Sequence, residues 1–134
     1  MNYIYVMDTS PSTLNAPVPL ESGAPTSGSF NANYQGRAPW WSPDGKWVVF
    51  ESNRPSQYEA NGLYAIYLYQ HGGLNPATQI TSTIYNCNHA KWFPPGAAVR
   101  GKLSVAAWRN GTSSSPAGPY GLSELDLTPL GITF

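Results

Sequence analysis

Two histidines, one cysteine and seven carboxylates are what this 134-residue chain offers for acid–base, nucleophilic or metal chemistry. His71 stands in Gln70-His71-Gly72-Gly73, a hairpin-turn sequence in which a polar ring is a surface feature. Cys87 sits between Asn86 and Asn88, next to His89. A lone cysteine forms no intrachain disulfide and no cysteine-based zinc site, and its type is among the most buried, so a small core residue entering a strand is expected. Asp44 has the chemistry of a metal ligand or general base, yet in Pro43-Asp44-Gly45 the turn itself uses an aspartate. Glu51 and Glu124 lie on strand patterns, and paired-carboxylate chemistry would require them to converge in space. Neither a Gly-x-Ser-x-Gly elbow nor a His-x-x-x-His helical face occurs. The expectation is a non-enzymatic chain with no catalytic residue, no cofactor and no metal.

Composition narrows the partners. The net charge is +0 with 10% charged residues, and the basic side chains (Arg37, Lys46, Arg54, Lys91, Arg100, Lys102, Arg109) are scattered. The concentrated positive footprint of a nucleic-acid binder is missing. With no long apolar run, no membrane insertion is expected. The first residues are too polar for a secretory signal and lack its basic start, so targeting is not visible. Asn110-Gly111-Thr112 matches a glycosylation acceptor and reads as an exposed loop. Five Trp, nine Tyr, thirteen Gly and thirteen Pro favour short strands and many turns over helices.

The elements that would position these groups begin with one hairpin, Ala38 to Asn53. Pro43 presets φ for a turn, Asp44 can bond to its own backbone, and Gly45 takes the positive φ of a bulged turn. In the strand that follows, Trp47, Val49 and Glu51 point to one face while Val48, Phe50 and Ser52 point to the other. Apolar groups on both faces predict sheets packed on both sides.

Repetition extends the pattern. Trp41-Ser42-Pro43-Asp44-Gly45 returns in degenerate form as Trp92-Phe93-Pro94-Pro95-Gly96, 92 − 41 = 51 residues on. Leu103 to Arg109 would then correspond to Lys46 to Ser52, after an insert near residues 97 to 102. Tyr3-Ile4-Tyr5-Val6-Met7-Asp8, Ala65 to Gln70 and Gly121 to Asp126 form a second, threefold motif, followed by outer-strand candidates at Ala77 to Ser82 and Leu130 to Phe134.

Taken together, these motifs resemble the Trp-Ser-Pro-Asp-Gly-Lys repeat of the TolB-type, WD40-like β-propeller family. The resemblance implies an all-β chain, a partial β-propeller of four-stranded antiparallel blades. It would comprise a half blade with a flexible connector (1–33), a full blade (34–84) and a degenerate full blade (85–134). Trp41, Pro43, Asp44, Gly45, Phe50, Trp92, Pro94, Gly96 and Trp108 are the repeat positions, and their indoles are expected to pack blade against blade. Trp40 alternates with Trp41 and has Lys91 as its counterpart, which makes it a candidate contact residue.

Closed propellers have about four to eight blades. About two and a half blades would therefore associate with other copies or other propeller segments, as ring, filament or tube, through exposed blade faces and strand complementation. Tyr3, Ile4, Tyr5, Val6 and Met7 form the candidate strand for such complementation, with pairing inside the chain as the alternative, since Pro17 and Pro19 interrupt the next segment. The other reading is a fragment of a larger propeller, either the non-catalytic propeller of a prolyl-oligopeptidase-like peptidase or a TolB-like periplasmic protein-binding propeller. Family resemblance favours an extracellular or periplasmic location, and no small-molecule or carbohydrate ligand is indicated.

Overall fold

The structure is a computed structural model, and it describes residues 4–7, 18–20, 36–53, 64–73, 77–81, 85–94, 101–109 and 121–132. Among the described residues nine strands form three antiparallel sheets. The first pairs β1 (Tyr5–Val6) with β2 (Val18–Pro19). The second is a meander of β3 (Gly36–Trp41), β4 (Trp47–Ser52), β5 (Ala65–Gln70) and β6 (Thr78–Gln79), in that spatial order. The third orders β7 (Tyr85–Trp92), β8 (Lys102–Arg109) and β9 (Gly121–Asp126).

The sheets stack with the second in the middle, as the two apolar faces of β4 require. Val48, Phe50 and Ser52 face the first sheet, and Phe50 and Val48 join Ile4, Leu20, Ala65 and Tyr67 in one core. Phe50 lies stacked on Tyr67 with ring centroids 5.7 Å apart. On the opposite face, Val49, Ile66 and Leu68 meet Cys87, Leu103, Val105, Leu127 and Ile132 in a second core. Every residue of β4 after Trp47 is buried.

The turn between β3 and β4 is built around Ser42. Its hydroxyl accepts from Trp47 N–H at 2.9 Å and donates to Asp44 Oδ1 at 2.5 Å, while Asp44 accepts from Lys46 N–H at 3.1 Å. Gly45, at φ 69°, closes the turn with its N–H on Ser42 O. Partial desolvation pushes Asp44 up, but the hydrogen bonds from Ser42 and Lys46 and the nearby ammonium outweigh it and hold the carboxyl below its ordinary value.

The repeat is visible in the backbone. A bulge interrupts β3 between Arg37 and Trp40 and β7 between Asn88 and Lys91. Ala38 (φ 50°) and His89 (φ 55°), also 51 residues apart, both adopt the left-handed conformation inside it. The second strands run differently from expectation. Trp41 opposes Val48 and Trp92 opposes Leu103, so the offset there is 103 − 48 = 55, two residues less than the alignment of Leu103 with Lys46 implied. The third strands match as expected, Ala65 with Gly121 (121 − 65 = 56).

Two further expectations change. The segment beginning at Leu130 is not an outer strand among the described residues. Thr128–Leu130 is a short 3₁₀ turn, Gly131 takes φ 77°, and Ile132 tucks into the second core with its N–H toward Leu127 O. Gly101 permits this close return, since a side chain there would run into the Ile132 carbonyl. Secondly, β1 pairs within the chain: Tyr5 opposes Pro19, Val6 opposes Val18, and Leu20 N–H reaches Ile4 O at 2.9 Å. Proline is accommodated because β2 is an edge strand.

Candidate functional site

The first strands of the second and third sheets, β3 and β7, lie side by side and bring together most of the chain's chemically distinctive groups. Their shared edge is organised by Glu51, whose side chain retains 2% of its exposure. Arg37 Nε donates to Oε2 at 2.6 Å within the second sheet. Across the sheet boundary, His89 N–H donates to Oε1 at 2.5 Å. The left-handed turn at His89 is what frees this N–H from the β7–β8 ladder. The Arg37 guanidinium also covers the Tyr64 ring at 3.6 Å, and Tyr64 is tied to β7 twice, by its N–H to Asn86 Oδ1 and by its carbonyl from Cys87 N–H. A charge buried this deeply needs such partners, and both Glu51 oxygens have one.

Further along the edge, the Lys91 ammonium sits 5.0 Å from the Trp40 ring and Trp92 Nε1 donates to Trp40 O at 3.2 Å. Trp41 presents its indole edge-on to His71, with centroids 5.3 Å apart. Trp40 and Trp41 each keep 48% of their surface exposed. For Trp40 that agrees with alternation. For Trp41 it corrects the expectation of a packed indole, and the cause is geometric. The counterpart Trp92 packs against the second core beneath β3, whereas Trp41 faces the first sheet, which has only two short described strands.

The remaining sequence candidates fall as follows. Phe50 is fully buried, and Asp44, Gly45 and Pro43 belong to the turn. Pro94 is exposed. Gly96, Tyr3 and the Trp108 side chain lie outside what is described, as does Asn110-Gly111-Thr112. Ile4 is buried in the chain's own core and Val6 packs beside it, while Tyr5 and Met7 are exposed. Cys87 is buried, as its type suggested, and desolvation raises its thiol pKa against a smaller lowering by Thr81. Glu51 and Glu124 do not share a site: Glu124 pairs with Lys102 on the outer face of the third sheet. Among the described residues no group of three or more His, Cys, Asp and Glu side chains is placed to hold a metal, and no helix is long and apolar enough to cross a membrane.

Sequence reasoning missed two positions. The Ser42 hydroxyl had a local signal, a serine two residues before an aspartate at a proline turn. The Glu51 bridge had none beyond the oddity of a carboxylate within an apolar strand. The edge as a whole presents exposed indole, imidazole and ammonium groups on paired strands. Comparisons with family models, with curated proteins and with solved structures found no match to this chain.

Proposed function

We propose that the chain is a non-enzymatic assembly module of TolB-like propeller type, whose blades are the stacked sheets and whose uncovered end is completed by another copy. The observation that carries this reading is the exposure of Trp41. Its repeat counterpart is covered by a neighbouring sheet, so a large apolar group is left bare at the position where the stack continues elsewhere. Tyr5 and Met7, which alternate with the packed Ile4 and Val6, add exposed apolar surface at that end.

The two ends of the stack are not alike. The outer face of the third sheet carries Lys102, Ser104, Glu124 and Asp126 with one exposed leucine, Leu122, and is predominantly polar, which suits water. Association therefore uses one end, and an interface made by the same patch on both partners closes as a two-fold pair. That favours a dimer over the ring, filament or tube that two apolar ends would build.

Light scattering at micromolar concentration tests this. The intact chain is expected as a dimer, and Trp41→Asp as a folded monomer with an unchanged β-type circular dichroism spectrum. A monomeric intact chain, or a dimer indifferent to Trp41→Asp, overturns the reading.

A further inference from the structure

The second sheet places β6 beside β5, whereas β9, six residues long, has β8 on one side and no described strand on the other. Leu127 N–H donates to Gly101 O, which sets the alternation along the ladder. Leu125 and Ser123 turn their backbone groups toward β8, and Leu122 and Glu124 turn theirs toward the open edge. Leu122 and Glu124 occupy the places of Ile66 and Leu68 (122 − 66 = 124 − 68 = 56). There the groups are satisfied: Ile66 O accepts from Ile80 N–H and Ile66 N–H donates to Thr81 Oγ1, both at 2.9 Å, and Leu68 opposes Thr78.

Beside this edge, between the second and third sheets, is a cavity of about 300 Å³ lined by the apolar Ile80, Cys87, Val105, Ala107 and Leu125 and by the polar Thr81, Ser123 and Glu124. One water needs roughly 10–15 Å³, so a largely apolar space of this size suits aliphatic side chains. The segment at Leu130 to Ile132 does not fill it, because Ile132 is committed to the core at the end of the sheet. Leu122, on the outer face, is 87% exposed.

We propose that the open edge of β9 docks an extended peptide segment of a partner protein as a fourth, antiparallel strand. Residues of that strand opposite Leu125 and Ser123 face the cavity and are aliphatic. The residue opposite Glu124 faces outward and is basic, since among the described residues of β8 and β9 the carboxylates of Glu124 and Asp126 share that face with one ammonium, that of Lys102. Charge also argues against a second copy of β9 as the occupant, which would bring another Glu124 and Asp126 to the same face. The proposal uses the opposite end of the stack from Trp41 and stands independently of self-association.

The probe is a fluorescein-labelled synthetic peptide, Lys-Val-Lys-Ile-Val-Thr, titrated with the full chain by fluorescence anisotropy. Saturable binding is expected. Leu122→Pro removes an edge N–H without touching the β8 ladder and should weaken binding about tenfold or more. Glu124→Lys should reverse the preference toward a peptide with Glu in place of the second Lys. Should Leu122→Pro fail to fold by circular dichroism, the charge reversal decides alone. Alkylation of Cys87, the single cysteine, should slow in the presence of peptide. Absence of saturable binding up to about 1 mM, binding equal in wild type and folded Leu122→Pro, or no change of preference in Glu124→Lys overturns the proposal. So does an unbound β9 whose edge proves to be occupied by a second copy, read as a dimer that Leu122→Pro dissociates and Trp41→Asp does not; a dimer with the reverse response supports the assembly reading alone.

Discussion

β4 and β8 hold matching places, each the second strand of its antiparallel sheet, in two environments. β4 reads Trp-Val-Val-Phe-Glu-Ser and is buried on both faces between neighbouring sheets. β8 reads Lys-Leu-Ser-Val-Ala-Ala-Trp-Arg, with Leu103 and Val105 buried against the second sheet and Lys102 and Ser104 half-buried on the other side. A strand between two layers loses its polar alternation, and one that ends a stack keeps it. The covering of each sheet is therefore recorded in the side-chain polarity of its second strand.

The sharpest break of that comparison is Phe50→Ala. It empties a site sealed on both sides and should cost about 3–5 kcal/mol in urea unfolding. Val105→Ala, the matching position in β8 (105 − 50 = 55), should cost about 2 kcal/mol. Equal costs would show the middle sheet to be no better covered than the third.

Glu51→Ala should follow at about 2–4 kcal/mol, because it leaves Arg37 and the His89 N–H without their carboxylate. The counterpart Ala106 is buried but carries no bridge, and Ala106→Gly should cost about 1 kcal/mol. A mild Glu51→Ala would mean that packing alone joins the two sheets.

Ser42→Ala, which removes two bonds from the first turn, should cost about 1–2 kcal/mol. Phe93 stands at the equivalent place and supplies no hydroxyl. The effect is pH-dependent with a defined sign. The Asp44 pKa is lower in the folded chain than the ordinary carboxylate value, so its contribution is complete above that ordinary value and is lost as pH falls through the folded value. The gap between wild type and Asp44→Asn in thermal melts should close on acidification and never widen.

Trp41→Ala should cost little, about 1 kcal/mol or less by denaturant midpoint measured at a concentration where the chain is monomeric. Half of the ring is already in water. Trp92→Ala should exceed it. A larger cost for Trp41 would place an additional packed layer over β3.

Much of this order was legible in the residues. The hairpin around Pro43-Asp44-Gly45, the strands at Tyr5–Val6, Ala65–Gln70 and Gly121–Asp126 within the threefold motif of residues 3 to 8, 65 to 70 and 121 to 126, and the two-faced burial of β4 all follow from turn chemistry and period-two alternation, which act over a few residues. The two-residue slip of β8 was hidden because a shift of two preserves the face of every side chain. Trp41 was misjudged because its exposure depends on how far another sheet extends, which no local pattern encodes. The Leu-Gly-Ile run at 130 to 132 carries an outer-strand pattern, yet Pro129 and Gly131 turn the chain and the core claims Ile132. The Glu51 bridge depends on a bulge in another sheet 38 residues away.

That bridge has a bearing on how the molecule opens. Stacked repeats joined only by apolar contact tend to come apart one unit at a time, with each unit's stability nearly its own. A carboxylate anchored in one layer and holding an amide of the next makes separation of the layers and exposure of a buried charge a single event. Amide hydrogens of β4, β5 and β7 should consequently exchange with solvent at one common rate set by concerted opening, while those of β1, β2 and β9 exchange sooner through local fraying.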